Sequence, residues 1–211
     1  IRNGLSKGWE RNNRKDKGLY KAIEKVYNDI KIISNNYTSD AYVFHLDFKG
    51  FFPNANIDIV HRQQQELIDK FYTDNDKEDI KYLMNKCLYS DPARHCIKVG
   101  DLSLWNYIKP EKSLFNKPFG TGAAIGFLCW QNAMQIYPND IMLWLDTLDL
   151  KSTLFVDDLY IVCDNKEYVL NKIPEMRKRL SKLKIELNEN KFYCQHYSKG
   201  ILCLGKFLKY R

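Results

Sequence analysis

Residues 152–163 read STLFVDDLYIVC, two short apolar runs with two adjacent carboxylates, Asp157 and Asp158, between them. Both runs are rich in β-branched and aromatic residues, which predicts two strands joined by a tight turn that carries the carboxylates. Like charges this close repel each other, so the pair is tolerated at low cost where a cation or bulk water surrounds it. Because Asp is also an ordinary turn residue, the hairpin alone leaves metal binding and plain turn chemistry open.

A second buried strand ends on a carboxylate about 110 positions earlier. Residues 41–52 read AYVFHLDFKGFF, and Asp47 closes the apolar run. A carboxylate beside apolar surface is costly to keep ionised unless a cation or a proton accompanies it. If the two strands lie side by side in one sheet, Asp47 and Asp157 form a joint site. Phosphoryl transfer to a nucleotide uses such a pair to hold two Mg²⁺ ions roughly 4 Å apart.

The rest of the chain predicts helices around these strands. Apolar residues at three- and four-residue steps predict helices over residues 19–36, 57–71, 76–88, 127–136 and 168–183. Residues 184–187 are predicted as a strand and residues 200–210 as a final strand pair. The order of these elements indicates an α+β fold, in which helices cover one face of an antiparallel sheet.

Composition narrows the class of partner. Lys and Arg total 33 against 26 Asp and Glu, which gives a net charge of +7. This charge favours a polyanionic partner, but surface lysines that only keep the protein soluble would explain it equally well. No apolar run reaches the roughly 18 residues of a membrane span and no signal peptide opens the chain, so we expect a soluble, cytoplasmic protein with no membrane partner. The chain begins at Ile1, so we expect a fragment of a longer protein.

The six cysteines predict buried, reduced thiols. No pair has the Cys-x-x-Cys spacing of a zinc knuckle, and the nearest candidates for structural zinc are Cys194 with His196 and the adjacent His95 and Cys96. Near the start of the chain, the sequence of residues 2–21 predicts a glycine-containing basic loop that leads into a helix. That pattern suits phosphate binding, and a solvated loop fits it equally well.

Motifs along nearly the whole chain resemble those of reverse transcriptases, in the family's order. LDFKGFFP at residues 46–53 and FVDD at residues 155–158 resemble the A and C motifs. NRKDKGLYKAI at residues 13–23 is similar to the fingers segment, and AAIGFLCWQ at residues 123–131 to the B motif. NENKFYCQHYSKGILCLGKFLK at residues 188–209 is similar to the D motif followed by the primer-grip hairpin.

The resemblance implies a polymerase palm, a ferredoxin-like antiparallel sheet with helices on one face, together with a fingers subdomain. Residues 1–40 would form the N-terminal part of the fingers and residues 61–118 a fingers insertion. Residues 41–60 would form the palm strand with motif A, and residues 119–211 the palm with motifs B, C and D and the primer grip. The family's thumb would follow Arg211, so we expect this chain to lack a thumb.

The resemblance also implies roles at the two carboxylate sites. Asp47 and Asp157 would bridge two Mg²⁺ ions, for which Mn²⁺ is an alternative. The carbonyl of Phe48 would complete one coordination shell, and Asp158 would support the site. Lys191 would protonate the pyrophosphate leaving group, because a lysine ammonium can serve as a general acid.

Further residues match the family's substrate contacts. Phe52 would be an aromatic gate that excludes a ribose 2′-hydroxyl, although a core phenylalanine beside Phe51 is the alternative. The remaining matches are the triphosphate contacts Arg14 and Lys17, the B-motif nucleotide pocket of Ile125, Gly126 and Gln131, and the primer grip of Leu204 and Gly205.

The implied activity is that of an RNA-directed DNA polymerase, a nucleotidyltransferase that extends a primer 3′-hydroxyl with deoxynucleoside triphosphates. Ile125-Gly126 with Gln131 resembles the diversity-generating retroelement branch, in which copying is error-prone, whereas Trp130 and Pro138 depart from that pattern. The implied partners are an RNA template, a DNA or RNA primer and a small basic accessory protein. A related polymerase of phage defence or group II introns, and a catalytically inactive palm-fold RNA-binding module, are the alternatives.

Overall fold

The computed structural model describes residues 18–109 and 112–210 of the 211-residue chain. Arg14 and Lys17, the predicted triphosphate contacts, lie outside the described residues. The described chain divides into two compact units. The first, which we call the sheet unit, comprises residues 18–49, 138–182 and 186–210. The second, the helical unit, comprises residues 50–137 and 183–185.

Within its described residues, the sheet unit is built on a four-stranded antiparallel sheet. Its strands are β1 (Tyr42–Asp47), β2 (Lys151–Phe155), β3 (Asp158–Cys163) and β4 (Tyr193–His196), in the order β2-β3-β1-β4. β5 (Ile201–Cys203) and β6 (Lys206–Leu208) form a separate hairpin. β1, which ends at Asp47, and β3, which begins at Asp158, are therefore direct neighbours at the centre of the sheet. The α+β class and the antiparallel sheet predicted from the sequence are confirmed.

Both faces of the central strands are buried. On one face, Val26 and Ile30 of α1 (Leu19–Ile33) pack with Val43 and with the buried residues Ile201 and Cys203 of the β5–β6 hairpin. The opposite face carries a second set of fully buried side chains, Phe44, Leu46, Leu159 and Ile161. The continuous apolar run in β1 is thus explained, because a strand covered on both sides needs apolar residues at successive positions.

Two further helices belong to the sheet unit. α7 (Lys166–Lys182) buries Val169, Ile173, Met176 and Leu180 at three- and four-residue spacing, as its sequence predicts. α6 (Asn139–Thr147) is not among the elements predicted from the sequence. It begins directly after Pro138, which occupies the N-cap position. A proline that ends one helix is also well suited to start the next, since its missing N–H is not needed there.

The helical unit contains α2 (Ile57–Phe71), α3 (Lys77–Tyr89), α4 (Pro92–His95) and α5 (Leu128–Ile136). Short 3₁₀ turns at Leu102–Tyr107 and Leu114–Asn116 lie between α4 and α5. The buried Tyr137 joins separate parts of this unit: its hydroxyl donates to the Leu183 carbonyl and accepts from the Asn56 amide. Asn56 in turn caps α2 through its side chain.

Two local predictions near the end of the chain are wrong. Residues 184–187 do not form a strand; Leu187 makes an isolated antiparallel bridge with Phe48. Lys184 has a φ of 56°, a left-handed conformation that cannot continue an extended strand. The adjacent strand β4 was not predicted, because four residues reading YCQH carry too little apolar alternation to mark a strand on their own.

All six cysteines are free, as predicted, but the prediction that all of them are buried is wrong. Cys163 and Cys203 are buried, and burial raises the pKa of each thiol to about 12, whereas Cys96 is exposed. A membrane span was not expected, and none of the helices in the described part of the chain is long and apolar enough to form one.

Candidate functional site

The β2–β3 hairpin presents Asp157 on a strained turn. Phe155 pairs with Asp158, so Val156 and Asp157 are the two turn residues, and Asp158 is the first residue of β3 rather than part of the turn. Of the two turn residues, Val156 alone has a positive φ, 58°. That position of a two-residue hairpin normally carries glycine. A β-branched residue there costs about 1–3 kcal/mol, a strain typical of functional turns.

Asp47 lies at the end of β1, directly opposite Asp158, and is 4% exposed. Its carboxylate accepts two hydrogen bonds, from Asn188 Nδ2 to Oδ1 at 2.8 Å and from Lys191 Nζ to Oδ2 at 2.7 Å. The backbone amide of Asn188 also donates to the Asp47 carbonyl, at 2.8 Å. The short 3₁₀ turn Glu189–Lys191 follows Asn188, so this turn carries the Lys191 ammonium to the carboxylate. The buried charge is therefore compensated within the chain.

Asp157 is the carboxylate with the least compensation. Burial raises its pKa above the ordinary value, and the negative charges of Asp158 and Asp47 raise it further, while Lys191 opposes them. The pKa of Lys191 is raised in turn, chiefly by its hydrogen bond to Asp47, with smaller contributions from Asp157 and Asp158. This part of the sheet unit therefore attracts positive charge. The backbone carbonyl of Asp157 accepts from the Phe48 amide at 3.0 Å, which ties the turn to the end of β1.

Asp158 has a different partner. The Nε2 of His45 donates to Asp158 Oδ1 at 2.6 Å. The His45 ring lies beside Tyr160 at 4.8 Å and beside Tyr193 at 5.2 Å between centroids. Sequence reasoning missed His45. The signal was available, because His45 precedes Asp47 by two positions and side chains two apart in a strand share one face of the sheet.

The carboxylates of the site are the type of ligand that a divalent cation prefers, but their side chains do not form a single cluster. Carboxylate oxygens are the ligands that Mg²⁺ prefers. Among the described residues, no group of three or more His, Cys, Asp or Glu side chains is arranged to hold a metal ion. Lys191 acts as a stand-in cation on Asp47, so a divalent ion could use Asp47 Oδ2 only after Lys191 has moved away. The predicted ligand role of the Phe48 carbonyl stays a prediction.

The predicted primer-grip residues belong to the sheet unit as well. Leu204 and Gly205 are the two central residues of the β5–β6 turn, with φ angles of 48° and 77°. Positive φ at both positions is the pattern of a type I′ hairpin turn. The Leu204 amide donates to the Tyr160 hydroxyl at 3.1 Å. The structure therefore connects this hairpin to the same sheet face that carries His45.

The predicted nucleotide-pocket residues belong to the helical unit. Phe52 is half-buried and contacts Phe51 edge to face at 5.7 Å, which agrees with both the gate and the core interpretation. Its carbonyl accepts from the amide of Ala123, so Phe52 and the start of the predicted B motif are close together. Within that motif, Ile125 is 76% exposed, Gly126 has a φ of 90°, and Gln131 is half-buried in α5.

Comparisons with known proteins give no relative for this arrangement: no protein-family model matches the chain, and no curated protein matches it. The carboxylates, their strand register and the motif order are therefore the basis for assigning a function.

Proposed function

We propose that this chain is an RNA-directed DNA polymerase that extends a primer 3′-hydroxyl with deoxynucleoside triphosphates. One observation carries the proposal. Asp47 and the Asp157-Asp158 pair, about 110 positions apart in the sequence, are brought together by the β1–β3 register, where Asp47 lies opposite Asp158. Carboxylates on two adjacent strands, one of them on a strained turn, suit phosphoryl transfer with two divalent cations.

The proposed fold at the finer level is a polymerase palm with fingers. Support for the palm comes from the sheet unit, in which the two carboxylate-bearing strands are central and a helix packs on one face. The proposed fingers and nucleotide pocket involve Phe52 and the B-motif residues. The net charge of +7 supports nucleic acid as the partner, because neutralising backbone phosphates supplies much of the affinity for it.

In the proposed reaction, divalent cations bound at the carboxylates supply charge neutralisation of the triphosphate and activation of the primer hydroxyl. Asp47 and Asp157 hold negative charge at fixed places, Asp47 because it is buried at a strand end and Asp157 because the Phe48 amide bonds to its backbone carbonyl. Lys191 keeps its proton on Nζ while it contacts Asp47, since that contact raises its pKa. Once released from Asp47, its ammonium is free to donate that proton to a phosphate oxygen.

A second candidate is a palm-fold RNA-binding module without catalysis. The observation that favours it is the pairing of the carboxylates inside the chain. Lys191 occupies Asp47 Oδ2, and His45 occupies Asp158 Oδ1. If these contacts persist when Mg²⁺ is added, the carboxylates serve to stabilise the fold rather than to bind metal.

Primer extension on an RNA template, with Mg²⁺ and deoxynucleoside triphosphates, tests the proposal. We expect the wild-type chain to extend the primer. In Asp157→Ala, the extension rate should fall by a factor of about 100 or more, the order expected when a transition-state contact is lost. Asp164→Asn is the matched control, because Asp164 is exposed and follows the opposite end of β3. Equal extension by wild type and Asp157→Ala would refute the proposal.

Further assays separate the alternatives. A DNA template or no added template in place of RNA tests for a polymerase of the phage-defence type. RNA binding by gel shift without extension in any reaction indicates the inactive module. Sequencing the products for errors opposite template adenine tests the retroelement branch suggested by Ile125.

A further inference from the structure

Three aromatic rings form a row on one face of the sheet. In the register of the strands, His45 of β1 lies opposite Tyr160 of β3 on one side and opposite Tyr193 of β4 on the other. The ring centroids are 4.8 Å and 5.2 Å apart, with the histidine in the middle. Cross-strand pairs of this kind restrain both partners, because each ring limits the rotamers of the next.

The row has fixed attachments at both tyrosines. The Tyr160 hydroxyl accepts from the Leu204 amide at 3.1 Å, and the Tyr193 hydroxyl donates to the Leu202 carbonyl at 2.7 Å. Both attachments are to the backbone of the β5–β6 hairpin, on either side of Cys203. The two rings therefore hold the hairpin at a fixed height above the sheet.

The centre of the row is attached to the carboxylate site. His45 Nε2 donates to Asp158 Oδ1 at 2.6 Å, and the His45 side chain is 13% exposed. Tyr160 is 2% exposed, so the row is packed rather than free to rotate. A hydrogen bond from a packed ring fixes the carboxylate it reaches, as outer-sphere partners do at metal sites.

We propose that His45 is a positioning residue of the polymerase site: clamped between Tyr160 and Tyr193, it fixes the Asp158 carboxylate relative to the β5–β6 hairpin. This inference rests on the proposed function, in which the hairpin holds the primer strand. The distance from the hairpin to the carboxylates then sets where the primer 3′-end lies.

Two variants separate the hydrogen bond of His45 from its ring. His45→Phe keeps the stack on both tyrosines and removes the donor to Asp158, whereas His45→Gln keeps a donor and removes the ring. His196→Phe is the matched control, since His196 lies on β4 with its side chain on the opposite face of the sheet. Thermal unfolding of each variant verifies that it folds.

The first readout is binding of Mn²⁺ alone, measured by calorimetry without nucleic acid. We expect His45→Phe to weaken Mn²⁺ binding by about 10- to 100-fold, the range for lost outer-sphere partners, and His45→Gln to recover most of it. His196→Phe should bind like wild type. Mn²⁺ affinity of folded His45→Phe within twofold of wild type would overturn the inference.

The second readout concerns the hairpin. Tyr193→Phe retains the ring and loses the bond to Leu202, so we expect a higher KM for primer with Mn²⁺ affinity unchanged. An unchanged primer KM in this variant would contradict the link between the ring row and the hairpin. If wild type binds Mn²⁺ in a His45-dependent way but extends no primer, the proposed function fails while the positioning of Asp158 stands.

Discussion

Two of the three carboxylates of the site, Asp157 and Asp47, should respond in opposite directions to loss of charge. In metal-free protein at neutral pH, we expect Asp157→Asn to raise the melting temperature and Asp47→Asn to lower it. Both changes replace a carboxylate by an amide of almost the same shape. The difference arises because Asp47 has Lys191 and Asn188 as partners, whereas the charge of Asp157 is opposed by burial and by the neighbouring carboxylates.

The magnitude for Asp47 follows from its contact with Lys191. The Nζ–Oδ2 distance is 2.7 Å, and the side chains are 59% and 5% exposed for Lys191 and Asp47. A hydrogen bond to a charged group contributes about 1.5–3 kcal/mol, and exposure of the lysine reduces this to about 1–2 kcal/mol through solvent screening. The amide oxygen of Asn still accepts from Asn188. At about 2–4 °C per kcal/mol for a domain of this size, the melting temperature should fall by several degrees.

The effect at Asp157 depends on pH with a defined sign. Its pKa in the folded protein lies above the ordinary value of 3.8, so ionisation destabilises the fold. The stability that protonated Asp157 contributes is fully present below pH 3.8 and is lost as the pH rises through the folded pKa. An asparagine does not ionise and avoids that loss. Because Asp157 is half-exposed, water screens part of the repulsion, and we expect a gain of about 0.5–2 kcal/mol at pH 7.

Calorimetric unfolding in the presence of a chelator measures both effects. Wild type, Asp47→Asn and Asp157→Asn are compared at pH 7 and again near pH 3.5, where the advantage of Asp157→Asn should vanish. Asp164→Asn controls for the loss of one negative charge from this unit. A fall in melting temperature of Asp157→Asn at pH 7 equal to that of Asp47→Asn would refute the reasoning.

Three other predictions concern the scaffold. Tyr137→Phe leaves a buried carbonyl and a partly buried amide without their side-chain partner, so chemical denaturation should show a loss of about 1–3 kcal/mol, and an unchanged midpoint would contradict this role. Gly200→Ala should destabilise by about 1 kcal/mol or more, because φ is 79° and the new Cβ would meet the Phe207 ring; in a Phe207→Ala background, denaturation should show a smaller cost. Mass spectrometry after alkylation of native protein at pH 8 should find Cys96 modified and Cys163 protected, and equal modification would show that Cys163 is not buried.

Much of the local structure could be predicted from the sequence. The helix Ile57–Phe71 has the predicted bounds, and α1, α3 and α5 each differ by only a few residues at their ends. These helices are long enough for the three- and four-residue spacing of their apolar residues to be recognised even where single positions depart from it. The elements that the sequence did not predict correctly are short or ambiguous, such as β4 and the region around Lys184.

The carboxylates themselves were identifiable from the sequence, because a charge next to a buried strand or between two strands is conspicuous. Their partners were decided only by the tertiary structure. Lys191 reaches Asp47 across 144 positions of the chain and His45 reaches Asp158 across 113. Backbone propensity and apolar spacing act over a few residues, whereas strand register and side-chain packing act between segments distant in sequence. For that reason the sequence was sufficient to identify the carboxylates of the site, whereas the hydrogen-bond partner of each carboxylate was decided by the fold.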